Sequence, residues 1–119
     1  MKIHDMSLDL IHQMRTIKNA MVVLYGNHKI ALSKVIAERS ISTDQIETIG
    51  EIIRRIETFL DVAVGALTDA EAIAAEITND ENIDTLDKYY KISCCLVKSI
   101  NAKLEYEQVG NMINNLNSK

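Results

Sequence analysis

The stretch from Thr43 to Thr78, TDQIETIGEIIRRIETFLDVAVGALTDAEAIAAEIT, holds the pattern from which the architecture follows. Ile46, Ile49, Ile53, Ile56, Leu60, Ala63, Leu67, Ala70, Ala74 and Ile77 alternate by three and four positions, the period at which side chains share one helix face. A flanking row of Ile52, Phe59, Ala66 and Ile73 widens the stripe to three rows, which suits a bundle better than a two-stranded seam. Ser42 with Gln45 three positions later has the form of a capping box opening the helix. Gly65, and the pair Thr68 and Glu71, offer a break near the middle, yet the heptad phase runs through Leu67 and predicts a bend rather than an end. From Ala63 onward the stripe shrinks to alanine, which permits close helix approach.

The same period recurs on either side. Ile3, Leu10, Ile17 and Leu24 repeat every seven residues with Met14 and Met21 between them, and the phase continues through His28, Ala31 and Val35. Gly26-Asn27 reads either as a kink or as a turn. After a loop at residues 79 to 82, Asp84 is the predicted N-cap of a last helix reaching about Leu116. Its stripe is predicted to run Leu86, Tyr90, Val97, Ile100 and Leu104, then to shift phase to Val109, Ile113 and Leu116. The three segments, 3–40, 43–78 and 84–117, have similar length and short connections. The predicted fold is therefore all-α: one domain over 1–119, an antiparallel bundle of three long helices, or four if the first breaks at Gly26-Asn27.

Composition agrees with this class and removes others. With Pro 0, Gly 4 and one Phe, the chain lacks the turn residues that strand-rich folds need. Hydrophobic residues at 47% against 25% charged are far from the composition of disordered chains, and 119 residues can bury a core without a metal or disulfide staple. Cys94 and Cys95 are adjacent, a spacing that rarely forms a bridge and does not match a zinc motif, so a reducing cytoplasm is the expected location. No cationic leader with a continuous apolar segment opens the chain, and its longest apolar run, Ala20 to Tyr25, is too short to span a bilayer.

A net charge of −4 argues against general attraction to phosphate backbones. Lys88, Lys91, Lys98 and Lys103, with Tyr89, Tyr90 and Tyr106 nearby, form a local basic stretch, but lysine outnumbers arginine there and the tyrosines serve a core equally well. Nucleic acid is not an expected partner. The strongest anomaly is acidic: residues 67 to 87 contain Asp69, Glu71, Glu76, Asp80, Glu81, Asp84 and Asp87 and no Lys or Arg. These seven are the candidate partner-binding residues, a surface for something basic.

Catalytic sets are scarce. Glu47, Glu51, Glu57 and Asp61 lie in pairs four apart, as in metal-binding bundles, but helical phase turns most of them away from the stripe and toward Arg54 and Arg55. Asp5, Asp9 and His12 share one helix face, which supplies too few ligands alone. His28 falls within the first stripe, where a hydrogen-bonded core role is expected. No Ser/His/Asp set, phosphate-binding Gly loop or HExxH occurs. His12-Gln13-Met14-Arg15-Thr16 resembles the H-box of sensor histidine kinase dimerisation domains, in which an exposed helical His precedes an Arg-Thr pair. That resemblance implies phosphotransfer through His12; Gln13 stands where the family has an acidic residue and Ile17 where it has Pro.

The expected function is that of a non-enzymatic helical interaction module, an adaptor, regulator or inhibitor with the acidic segment as its docking surface. No cofactor, metal or small-molecule ligand is expected. A histidine phosphotransfer protein using His12 is the alternative, and a metal-carboxylate enzyme the third reading. Phe59, Met112 and the phase-shifted end of the last helix exceed the apolar surface that three helices need, so a homodimer is also expected.

Overall fold

Three α-helices, α1 (Ile3–Glu38), α2 (Thr43–Ala75) and α3 (Ile83–Asn117), make up the computed structural model, which describes residues 2–38 and 40–117. Arg39, within the segment expected to extend α1 to residue 40, lies outside the described residues. α1 passes through Gly26-Asn27 with no positive φ, so the bundle has three helices and not four. The cause is tertiary: Met21 before the glycine and His28, Leu32 and Val35 after it are buried in one phase. That burial outweighs the cost of about 1 kcal/mol for a glycine inside a helix.

The capping box of α2 forms as its sequence implies: Ser42 Oγ accepts from Gln45 N at 3.3 Å, and Ser42 N donates to Gln45 Oε1 at 3.0 Å. Thr68 opens no new helix, because its hydroxyl donates to Val64 O at 2.9 Å within a continuous α2. The helix ends at Ala75 rather than at residue 78, although Ile77 remains buried. α3 is capped by Asn82, not by Asp84. Thr85 N donates to Asn82 Oδ1 and Asn82 N donates to Thr85 Oγ1, both at 3.0 Å. This reciprocal pair satisfies two orphan donors, and it leaves Asp84 in the first turn, where a negative charge suits the helix dipole.

Cross-links fix the register. Ile3 N donates to Glu81 Oε1 at 3.0 Å and the His28 ring meets Tyr106 O at 2.9 Å; both span 78 positions, so α1 and α3 run parallel. Arg15 pairs with Glu71 and Lys29 with Glu57 across α1 and α2, and Arg55 with Glu105 across α2 and α3, which sets α2 antiparallel to both. The result is a 62 × 20 × 17 Å rod.

The core has two parts. One half packs Met21, Leu32 and Val35 of α1, Ile52 and Ile56 of α2, and Tyr106, Val109 and Ile113 of α3. The other packs Ile11 and Met14 against Ala66, Ala70, Ala74 and Ile92. Here the alanines of α2 permit close approach, and α3 contributes Ile92 and the small side chain of Cys95.

This packing corrects three expectations. The buried row of α3 runs without a phase shift from Thr85 through Ile92, Cys95, Ser99, Ala102, Tyr106, Val109 and Ile113 to Leu116. Leu86, Tyr90, Val97, Ile100 and Leu104, expected to form the core stripe, are all exposed. On α2, Ile49, Ile56, Ala63, Leu67, Ala70, Ala74 and Ile77 of the predicted stripe are buried, whereas Ile46 and Ile53 are exposed and Ile52 of the flanking row is completely buried. Phe59 and Met112 are half-buried against the core and supply no surplus apolar surface.

Candidate functional site

The seven acidic residues collect toward one end of the rod, on the last turns of α2, the α2–α3 loop and the first two turns of α3, all of them exposed. The hydrogen bond from Ile3 N to Glu81 brings the N-terminus of α1 to the same end. The N-termini of α1 and α3 and the C-terminus of α2 thus meet at this end, so the helix dipoles favour carboxylates such as Asp84 and Glu81 and disfavour that of Glu76. Three of the seven have local tasks: Glu71 receives Arg15 at 3.0 Å, Glu81 receives Ile3 N, and Asp87 pairs with Lys91 at 3.0 Å. No ion pair joins Asp69, Glu76, Asp80 or Asp84 to another described residue. Lys88 Nζ reaches only the Glu76 backbone oxygen, at 3.2 Å.

The helix carboxylates proposed from spacing do not converge. Glu51 accepts from Arg54 at 2.6 Å and Arg55 at 2.8 Å, which draws its carboxyl down to about 2. Glu57 accepts from Tyr25 Oη at 3.3 Å and faces Lys29 at 3.8 Å, while Tyr25 Oη, by accepting a hydrogen bond from Lys29, raises the lysine's affinity for its proton. Glu47 and Asp61 are exposed on α2. Asp9 receives Gln13 at 3.2 Å and Asp5 approaches His4 at 4.0 Å. Among the described residues, no group of three or more His, Cys, Asp or Glu is placed to hold a metal ion.

His12 is exposed on α1, and Arg15 of the H-box-like segment is committed to Glu71. His28 is a core residue: it is 6% exposed, its Nε2 donates to Tyr106 O, and its ring meets the Tyr106 ring edge-on with centroids 5.2 Å apart. Burial lowers its pKa, partly opposed by the bond to Tyr106. Tyr106, fully buried, donates to Ile56 O at 2.7 Å, and burial pushes its phenol above the usual range. Of the tyrosines near the α3 lysines, Tyr106 is thus unavailable to a base, and Tyr90 stands outside at 66% exposed.

Sequence reasoning missed an exposed apolar row on α3. Ile83, Leu86, Tyr90, Val97, Ile100 and Leu104 form a row about half a turn from the buried one, with Asp87, Tyr89 and Ser93 lining a shallow depression at its start. The available signal was the second row at helical period, Thr85, Ile92, Ser99, Ala102, Tyr106 and Val109, whose small and polar members hide it from a hydrophobicity count.

Cys94 is exposed and Cys95 buried, its thiol pushed up by burial; neither is bridged. No helix among the described residues is long and apolar enough to cross a membrane. No protein-family model matches the sequence, and no curated protein or solved structure matches it either.

Proposed function

We propose that the chain is a non-enzymatic interaction module of the cytoplasm that docks a basic protein partner at its acidic end and self-associates. The observation that carries the reading is the segregation of charge: seven exposed carboxylates at one end, with no ion pair from Asp69, Glu76, Asp80 or Asp84 to a described residue. Such a field accelerates encounter with a basic surface and selects against acidic ones. The interior supports the same reading, because its buried polar side chains serve structure. Ser7 bonds Ile3 O, Ser99 bonds Cys95 O, Thr85 closes a cap, and His28 and Tyr106 join the helices. The unbridged adjacent cysteines support a reducing location.

The test is capture from native-host lysate by wild type and by a variant with Asp69, Asp80 and Asp84 changed to Lys, three residues with no cap or ion pair to lose. One stoichiometric basic partner, released by moderate salt and lost by the variant, is the expected result. Identical capture by both proteins would remove the acidic end from the function.

Exposure of His12 favours one second reading, a phosphotransfer protein, since an acceptor imidazole must reach a donor active site. Incubation with acetyl phosphate should then give a phosphorus resonance of phosphohistidine that His12→Gln lacks. Failure of wild type to take up phosphate from that donor or from host kinases sinks this reading.

A further inference from the structure

We infer that two copies of this chain pair antiparallel along the outer face of α3, the two-fold axis passing near Cys94. The inference deepens the self-association proposed above by giving it a surface and an orientation. Along that face Ile83, Leu86, Tyr90, Val97, Ile100 and Leu104 are between 43% and 84% exposed. Together they present on the order of 600–700 Å², close to the roughly 800 Å² per partner of a standard stable interface, with flanking side chains to make up the difference. The row is continuous over about 32 Å of helix at 1.5 Å per residue, longer than scattered exposure of single apolar residues requires.

Its order is nearly palindromic. Large side chains at 83, 86 and 90 mirror those at 97, 100 and 104 about a centre of small ones, Ser93 and Cys94. When one helix is turned end for end, Ile83 meets Leu104 of the other copy, Leu86 comes beside Ile100, and Tyr90 meets Val97. The small centre lets the helices approach while the ends fill the space. A face that complements itself on reversal is what an isologous two-fold interface requires.

Charge selects the same orientation. A parallel pair would set the acidic end of each copy against the other, and reversal separates the two ends by the length of the row. Between α1 and α2, Ile36 and Ile53 are exposed as well, but that groove is bordered by the Lys29–Glu57 pair and its apolar stretch is shorter than the α3 row.

The experiment is sedimentation velocity on the full chain from 5 to 200 µM, with wild type, Tyr90→Glu/Val97→Glu and Ile36→Glu/Ile53→Glu. Wild type and the α1–α2 variant should sediment at twice 13.4 kDa, and the α3 variant at the monomer mass with unchanged helicity by circular dichroism. A monomeric wild type throughout the range overturns both self-association and its face. A dimeric α3 variant overturns the face alone. Orientation is read in a Cys94→Ser background by mixing Ile83→Cys with Leu104→Cys protein under diamide. Antiparallel pairing gives the 83–104 cross-link, while 83–83 products, or none, overturn it.

Discussion

Tyr106 ties the three helices together, and its removal tests that role quantitatively. Its hydroxyl donates to Ile56 O of α2 at 2.7 Å, its backbone oxygen receives His28 of α1, and its ring is fully buried. Tyr106→Phe removes one buried hydrogen bond and leaves the ring in place. The Ile56 oxygen retains its place in the α2 ladder, so the net loss is about 1 kcal/mol rather than a full desolvation penalty. For a chain of this size that lowers Tm by about 3–5 °C. Tyr106→Ala removes the ring as well and opens a cavity, at a cost of about 3–5 kcal/mol, a large part of the total stability of a small domain. The assay is urea unfolding followed by circular dichroism at several protein concentrations, so that association does not enter the comparison. A Phe variant whose midpoint equals or exceeds wild type would refute the claim that the hydroxyl contributes. An Ala variant losing under about 1 kcal/mol would refute the central position of the ring.

Burial lowers the pKa of His28 below its usual 6.5, so the folded state binds fewer protons there than the unfolded chain. Stability from this group is therefore full above about pH 6.5, falls as pH drops toward the lowered folded value, and has a slope of at most about 1.4 kcal/mol per pH unit in that window. His28→Gln should flatten that part of the profile; an unchanged slope would refute the assignment. Gly26, Gly50 and Gly65 are helical and a methyl group at each would meet nothing within 4 Å, so each Gly→Ala change should stabilise by about 0.5–1 kcal/mol, as read from the denaturation midpoint. Destabilisation by Gly26→Ala would show that α1 needs a break there. Ile92→Ala, on the fully buried row of α3, should cost about 2–5 kcal/mol, and Val97→Ala, on its outer row, less than about 0.5 kcal/mol within the monomer. Equal costs would mean that the two faces of α3 are misassigned.

Period and caps carried the helices. Ser42 and Gln45 marked the start of α2 because a capping box is local: both partners lie within one turn and need nothing distant. The burial of His28 followed from its phase between Met21 and Val35, and the acidic end followed from composition alone. The cap of α3 was misread as Asp84 because Asp84 and Asn82 are both good caps, and the choice rests on which side chain bonds reciprocally with Thr85. At Gly26-Asn27 the local signal permitted a turn, and burial on both sides of it kept one helix.

The face of α3 lay outside any local rule. A helix with two apolar rows half a turn apart can bury either, and hydrophobicity favours the row of Leu86, Tyr90, Val97, Ile100 and Leu104. The partner reverses that choice. Opposite Ala66, Ala70 and Ala74 of α2, α3 buries Ile92 and the small Cys95, and opposite Ile52 and Ile56 it buries Ala102, Tyr106, Val109 and Ile113, a set of sizes that matches the surface each half of α2 presents. Helical period is a property of neighbours along the chain. Which face is inside is a property of the shape opposite it, and that shape exists only once α2 and α3 have met.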